Sequence, residues 1–224
     1  QSLLLEARKL NPNFLKDEVN SIEAVSTVDF PLDWGLGSSS TLVNNIAQWA
    51  DVDAFQLLEK TFGGSGYDVA CAQSQSPIFY KRVNGKPAFQ EVEFSPPFSK
   101  NLYFVHLGKK QNSRQSIRHF DSLGGNKPGF AQTISHLTIS ITNSQSLVDF
   151  EKHISKHEST LSVFLKLPKV KDLHFSDYWG AVKSLGGWGG DFVLATSSRP
   201  EEETLKYFSE KGFSTVVPYR EMVL

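Results

Sequence analysis

Residues 31 to 42, PLDWGLGSSSTL, place two glycines and three serines directly before an apolar-periodic stretch. The first turn of a helix carries unpaired backbone N–H groups and roughly half a positive charge. Glycine lets a phosphate approach that backbone, and serine hydroxyls add donors or a ligand for Mg²⁺. Gly35, Leu36, Gly37, Ser38, Ser39 and Ser40 are therefore candidates for a phosphate cradle; a turn with Ser39 or Ser40 as a plain helix N-cap is the alternative. The stretch lacks the Gly-Lys-Ser/Thr of a Walker A loop and is not a dinucleotide-binding G-x-G-x-x-G. A second glycine cluster, FGGSGYDVACA, holds Asp68, whose carboxylate could take the proton of a hydroxyl or cap the helix after it. A third, KSLGGWGGDF, lies near the C-terminus, where Asp191 either belongs to the loop or simply begins the strand FVLATS. In HLGKKQNSR, the side chains of Lys109, Lys110, Ser113 and Arg114 either face an anionic substrate or form a solvated basic turn. His153 and His157 stand four apart, without the Glu of H-E-x-x-H or a third ligand, so no metal is expected there. Cys71 has no basic neighbour to lower its pKa and is expected to be a packed side chain.

These groups need elements to hold them. Leu3, Leu4, Ala7 and Leu10 follow helical spacing from the first residues, with no capping residue ahead of them, so a segment preceding Gln1 is expected. SIEAVSTVDFPLDW is rich in β-branched residues and predicts one or two strands ending at Pro31. Leu42, Val43, Ile46, Ala47 and Ala50 share one helix face after the serines. Asp53 with Gln56 forms a capping pair for a second helix through Lys60. PIFYKRVNGKPAFQEVEF is a hairpin turning at Asn84-Gly85. The composition shifts at SPPFSKN, residues 95 to 101, and this marks the junction between two domains, 1–95 and 96–224. Beyond it come a buried strand, LYFVHLG, and helices over 113–123, 129–142 and 146–165. HFSDYWGAVKSLGGWGGDFVLATS predicts a helix, a glycine loop and a strand, and the chain closes with a helix stopped by Gly212 and a last strand. The class is α+β in two parts, with no internal repeat.

Composition narrows the function. With 23 basic against 24 acidic residues the net charge is −1, which gives no electrostatic case for nucleic acid or an anionic membrane surface. No apolar run is long enough to span a bilayer, and no signal-peptide pattern is present. One cysteine excludes an internal disulfide and fits a reducing cytoplasm.

Taken in order, the three glycine stretches resemble the GHMP kinases (galactokinase, homoserine kinase, mevalonate kinase and phosphomevalonate kinase). Pro31-x-x-x-Gly35-Leu36-Gly37-Ser38-Ser39-Ser40 resembles the family's second motif, and GGSGYDVACA the segment carrying the catalytic aspartate of the mevalonate and phosphomevalonate branch. KSLGGWGGDF resembles the third motif, and the Gly-Tyr-Asp-Val-Ala wording looks like the bacterial GYDIA subgroup. Two departures stand out: Trp188 interrupts a loop usually made of small residues, and Ser40 replaces a common alanine. The family's first motif, with its Pro-Gly segment and lysine, has no counterpart here, so the resemblance leaves the activity of this chain by itself open.

The resemblance implies a two-domain fold, a ribosomal-S5-like N-terminal domain represented by residues 1–95 and a ferredoxin-like C-terminal domain over 96–224, with the active site in the cleft between them. It implies an ATP- and Mg²⁺-dependent kinase of the cytoplasm that transfers the γ-phosphate to a small-molecule alcohol or phosphate acceptor. Mevalonate leads, phosphomevalonate follows, and a catalytically silent nucleotide-binding relative is the alternative. Asp68 would be the catalytic base. Gly35, Leu36, Gly37, Ser38, Ser39 and Ser40, with Gly186, Gly187, Gly189 and Gly190, would hold ATP. Ser39 and Glu59 would bind Mg²⁺, a solvated helix face being the alternative for Glu59, while Ser65, Gly66, Lys109 and Asp191 would meet the acceptor. A homodimer stays open.

Overall fold

The computed structural model describes residues 2–16, 22–109, 113–188 and 190–223, apart from the side chains of Ser113 and Arg114. Its contacts divide into two compact units, residues 1–32 with 36–93, and residues 33–35 with 94–224.

The first unit is built around four helices. They are α1 (Ser2–Leu10), α2 (Ser38–Ala50), α3 (Ala54–Thr61) and α4 (Tyr67–Ala72). Leu3 and Ala7 of α1, Val43, Ala47 and Ala50 of α2, Leu57 and Leu58 of α3 and Val69 of α4 form one buried cluster. Leu3 and Ala7 are four apart, as are Val43 and Ala47, so each helix presents one apolar stripe to the others. Asp53 caps α3, its Oδ1 accepting from the N–H groups of Phe55 at 2.7 Å and Gln56 at 3.1 Å. Strands β1 (Ile78–Val83) and β2 (Lys86–Glu91) pair antiparallel across Asn84-Gly85. Both turn residues are left-handed, φ 51° and 78°, as a two-residue hairpin turn requires.

The expected strands before Pro31 do not form. Residues 22–28 pair with no strand among the described residues, and Leu32–Trp34 is one turn of 3₁₀ helix. Val25 is 77% exposed, so its β-branched side chain has the propensity for a strand but no packed face to select one.

The second unit carries a four-stranded antiparallel sheet, in the order β4-β5-β3-β6. Its strands are β3 (Leu102–His106), β4 (Val182–Ser184), β5 (Phe192–Thr196) and β6 (Val216–Pro218). Between β3 and β4 run α5 (Ser113–Ser122), α6 (Lys127–Thr142), α7 (Leu147–Leu165) and α8 (Val170–His174); α9 (Glu201–Glu210) joins β5 to β6, and α10 (Tyr219–Met222) ends the chain. One buried cluster joins Val105, Val182, Val193 and Ala195 of the sheet to Val170 of α8 and Phe208 of α9. Another joins Leu102 and Ala181 to Phe150 and Ile154 of α7.

The helix expected over HFSDYWGAVKS is instead a turn followed by β4, so the glycine loop joins two strands of a hairpin. The cause lies at Gly180. A Cβ there would fall 1.8 Å from the carbonyl oxygen of Thr196, which already accepts from the Tyr178 hydroxyl at 2.8 Å. The chain can pass so close to β5 only without a side chain. Gly180→Ala should therefore cost about 3 kcal/mol or more, since a backbone group has no rotamer by which to yield. Chemical denaturation would show this as a lower midpoint with an unchanged slope; a midpoint equal to wild type would mean that the β4–β5 junction relaxes freely.

Candidate active site

The GLGSSS stretch folds as a helix start with glycine at its cap. Gly37 takes φ 75° at the N-cap of α2, no side chain caps this end, and the first helical bond runs from Thr41 N to Gly37 O at 3.0 Å. Ser38, Ser39 and Ser40 thus occupy the first three positions inside the helix. The N-cap alternative for Ser39 or Ser40 is set aside, because only a residue that tolerates a left-handed backbone fits the preceding position. Ser39 is exposed, while Ser38 and Ser40 are half-buried. Their amide groups stand at the uncapped, positive end of a 13-residue helix dipole, an arrangement that can receive an anion.

Asp68 lies against this helix start. A Cβ built on Gly37 would be 3.3 Å from Asp68 Cβ and 3.4 Å from its carboxyl carbon. Asp68 stands in the first turn of α4, whose N-cap is Gly66 at φ 85°, so the alternative in which Asp68 caps the helix is also set aside. The residue as a whole is exposed, yet the packing beside it strips water from the carboxyl, and that desolvation raises its pKa above the ordinary carboxylate value. A carboxylate held in this way is a better proton acceptor near neutral pH than a fully hydrated one.

Ser65 and Gly66 form the turn before Asp68. Ser65 Oγ accepts from Tyr67 N at 3.2 Å, and its carbonyl accepts from the Tyr80 hydroxyl of β1. A Cβ on Gly66 would lie 3.1 Å from the Phe55 ring and 3.3 Å from Pro87, so the turn is clamped from both sides. Cys71, expected to be packed, is exposed. Its position four residues after Tyr67 on a short helix lets the two side chains hydrogen bond, and burial raises the pKa of both. Glu59 is exposed on α3, and among the described residues no group of three or more His, Cys, Asp or Glu is arranged to hold a metal ion.

In the second unit the glycine loop spans residues 185 to 190, between β4 and β5. Gly186 takes φ 58°, and Gly190 is buried. Asp191 does not begin β5; it ends the loop with a left-handed φ of 53°. Its N–H donates to Lys109 O at 2.8 Å and its carbonyl accepts from Leu107 N at 2.8 Å. Gly35 belongs to this unit and lies against Asp191: a Cβ at 35 would come within 2.4 Å of the aspartate's carboxyl carbon. Trp34 packs beside it against Phe192, with ring centroids 5.2 Å apart. Trp188, the departure from an all-small loop, is tied down by its indole N–H donating to Pro168 O at 3.1 Å. Lys109 is exposed. Gly189 and Lys110 lie outside the described residues.

The structure thus brings Gly37 to Asp68 in one unit and Gly35 to Asp191 in the other, two contacts whose glycines are separated in sequence by Leu36 alone. Neither pairing is visible in the sequence, where the partners stand 31 and 156 positions apart. The two histidines of the pair have separate surroundings. His153 Nδ1 bonds Ser144 Oγ at 3.1 Å, and burial lowers the pKa of His157 to about 4.

No protein-family model and no curated protein sequence matches this chain. Among solved structures, the Lin0012 protein of Listeria innocua has a TM-score of 0.68 at 17% identity, over 97% of this chain and 77% of its own. The mevalonate kinase of Methanococcus jannaschii has a TM-score of 0.62 at 16% identity, over 96% of this chain and 72% of its own. An L. major mevalonate kinase in complex with R-mevalonate has a TM-score of 0.55 at 14% identity, over 77% of this chain and 56% of its own. The present chain therefore spans little more than half the length of the last of these. At such identities the likeness shows a shared architecture, the GHMP kinase fold. Among the described residues no helix is long and apolar enough to cross a membrane.

Proposed function

We propose that this chain serves an ATP-dependent phosphotransferase of the GHMP type, acting on the hydroxyl of a small alcohol. The observation that carries the proposal is the Asp68 carboxyl beside the glycine-capped start of α2, which no side chain caps. An anion site and a partly desolvated base in contact are what transfer of a phosphoryl group to an alcohol needs from a protein. The fold shared with mevalonate kinases supports it. On this proposal the second unit is the ferredoxin-like C-terminal domain of such a kinase, with its β-α-β-β-α-β order, and the first represents the S5-like domain.

The residues divide the work. The Gly35–Ser40 backbone and the loop at Gly186, Gly187 and Gly190 would hold the nucleotide phosphates. The glycine cap at Gly37 fits this role because any Cβ there would occupy the space at the helix start. The Ser39 hydroxyl and Glu59 would bind Mg²⁺. Bound ATP supplies the transferable phosphoryl group, and Mg²⁺ neutralises its charge. Asp68 orients the acceptor hydroxyl and accepts its proton, while Ser65, Gly66, Lys109 and Asp191 would contact the acceptor. Mevalonate is the first acceptor to test and phosphomevalonate the second.

A coupled ADP-release assay on the full gene product, against mevalonate, phosphomevalonate, sugars and amino alcohols, is the direct test. Acceptor-dependent, Mg²⁺-dependent ADP release is expected. ATP binding with no turnover of any acceptor would favour a silent nucleotide-binding protein, and no ATP binding at all would overturn the proposal.

A further inference from the structure

The glycine loop leaves β4, an edge strand of the sheet, at Ser184. Thr196 N donates to Ala181 O at 3.0 Å, Ala181 N donates to the Thr196 side-chain Oγ1 at 2.8 Å, and Leu185 N donates to Phe192 O at 3.3 Å. In an antiparallel ladder bonded and non-bonded pairs alternate. With Ala181 and Leu185 both bonded to β5, the N–H and C=O of Ser184 point away from the sheet. An edge strand normally gives such groups to water. Here α7 runs along β4, and Ser184 is buried.

Side chains meet all three polar groups of this one residue. Glu158 Oε1 accepts from Ser184 N at 3.1 Å and from Ser184 Oγ at 2.8 Å. Lys183 Nζ donates to Ser184 O at 2.8 Å. Glu158 is 1% exposed, and its Oε2 has no hydrogen-bond partner among the described residues. An ionisable group buried with an unmet oxygen is an expensive way to close a hairpin, for which any apolar residue would suffice. Both of its hydrogen bonds go to Ser184.

The loop that follows explains the need. Its glycines are costly to hold in one path, because glycine loses more backbone freedom on ordering than any other residue. Its far end is fixed at Asp191 by the bonds to Leu107 and Lys109, and its middle by Trp188 on Pro168. Ser184 is the near end. We propose that Glu158 and Lys183 form a buried clasp on Ser184 that sets the backbone entry into the glycine loop, making both positioning residues for nucleotide binding. The link to nucleotide rests on the function proposed above; the clasp itself does not. Opposite charges on the two side chains keep the clasp from adding a net negative charge beside a phosphate loop. Burial raises the pKa of Glu158 and lowers that of Lys183, while each charge favours the ionised form of the other.

Hydrogen exchange on the full chain without nucleotide, alongside ATP titration by calorimetry, tests it. Glu158→Ala should speed exchange at residues 185–190 about tenfold or more and weaken ATP binding by a similar factor, with β3 and β5 as protected as in wild type; losing hydrogen bonds to a charged group is worth that much. Glu158→Gln keeps an oxygen that accepts from Ser184 N–H and Oγ–H, and should return both readings to within about threefold. A folded Glu158→Ala with wild-type exchange in the loop would overturn the clasp. Should Glu158→Ala not fold, Ser184→Ala, which keeps both buried charges, decides: faster loop exchange supports the clasp and unchanged exchange overturns it. A loosened loop with unchanged ATP affinity would overturn the positioning role. Wild type that binds no ATP would instead defeat the proposed function, and the exchange result would still judge the clasp.

Discussion

Asp68→Asn should lower kcat about 10²-fold or more in the complete protein with its acceptor, while ATP affinity stays within a factor of about three. Asparagine has nearly the size of aspartate and keeps its acceptor oxygen, but it cannot take a proton. Gly66, and not Asp68, is the N-cap of α4, so no cap is lost, and the melting temperature should move little. The pH profile gives a second reading of the same group. Desolvation raises the pKa of Asp68 in the folded protein, so the base becomes protonated, and activity falls, at a higher pH than an ordinary carboxylate would set. That acid limb should disappear in the asparagine variant, leaving a low, flatter rate. A kcat within a few-fold of wild type would remove Asp68 from the chemistry.

How much of this was legible in the sequence depends on the range of the interaction. The capped start of α3 at Asp53, the Asn84-Gly85 hairpin and the stop of α9 at Gly212 are local events, and residue types within a few positions specify them. The motif glycines were legible too, because a left-handed backbone leaves a mark in residue choice. Residues 174–184 do not form the expected helix because of one steric fact that local sequence does not carry: the chain passes so close to β5 that a Cβ at Gly180 would fall 1.8 Å from the Thr196 carbonyl oxygen. Glu158 was hidden in another way. On an amphipathic helix a glutamate reads as a solvated position, and its partner Ser184 is 26 residues away. Asp191 in a left-handed conformation carries a cost that its neighbours in sequence do not reveal, since Lys109 and Gly35 supply its surroundings.

Gly37→Val should abolish measurable ATP binding, a loss of more than about 10²-fold, through two separable effects. The first is conformational. Gly37 sits at φ 75°, where a β-branched residue is a steric outlier, so the cap must rotate and carry the Ser38, Ser39 and Ser40 amides with it. The second is occupancy. The new Cβ would lie 3.3 Å from Asp68 Cβ, and branched γ-carbons beyond it would fill the space at the start of α2 and press on the Asp68 carboxyl. Gly212 separates the two. It has φ 89° at the end of α9, and a methyl group there would find nothing within 4 Å, so Gly212→Ala meets the conformational cost alone. That variant should lose about 1 kcal/mol of stability and bind ATP as wild type does. Gly37→Ala should fall between, because its single carbon only grazes Asp68. Calorimetric titration of the three variants, each confirmed folded by its melting transition, would order them. If Gly37→Val binds ATP like wild type with the fold intact, the GLGSSS stretch is a turn and a helix start, and the phosphates must be held elsewhere.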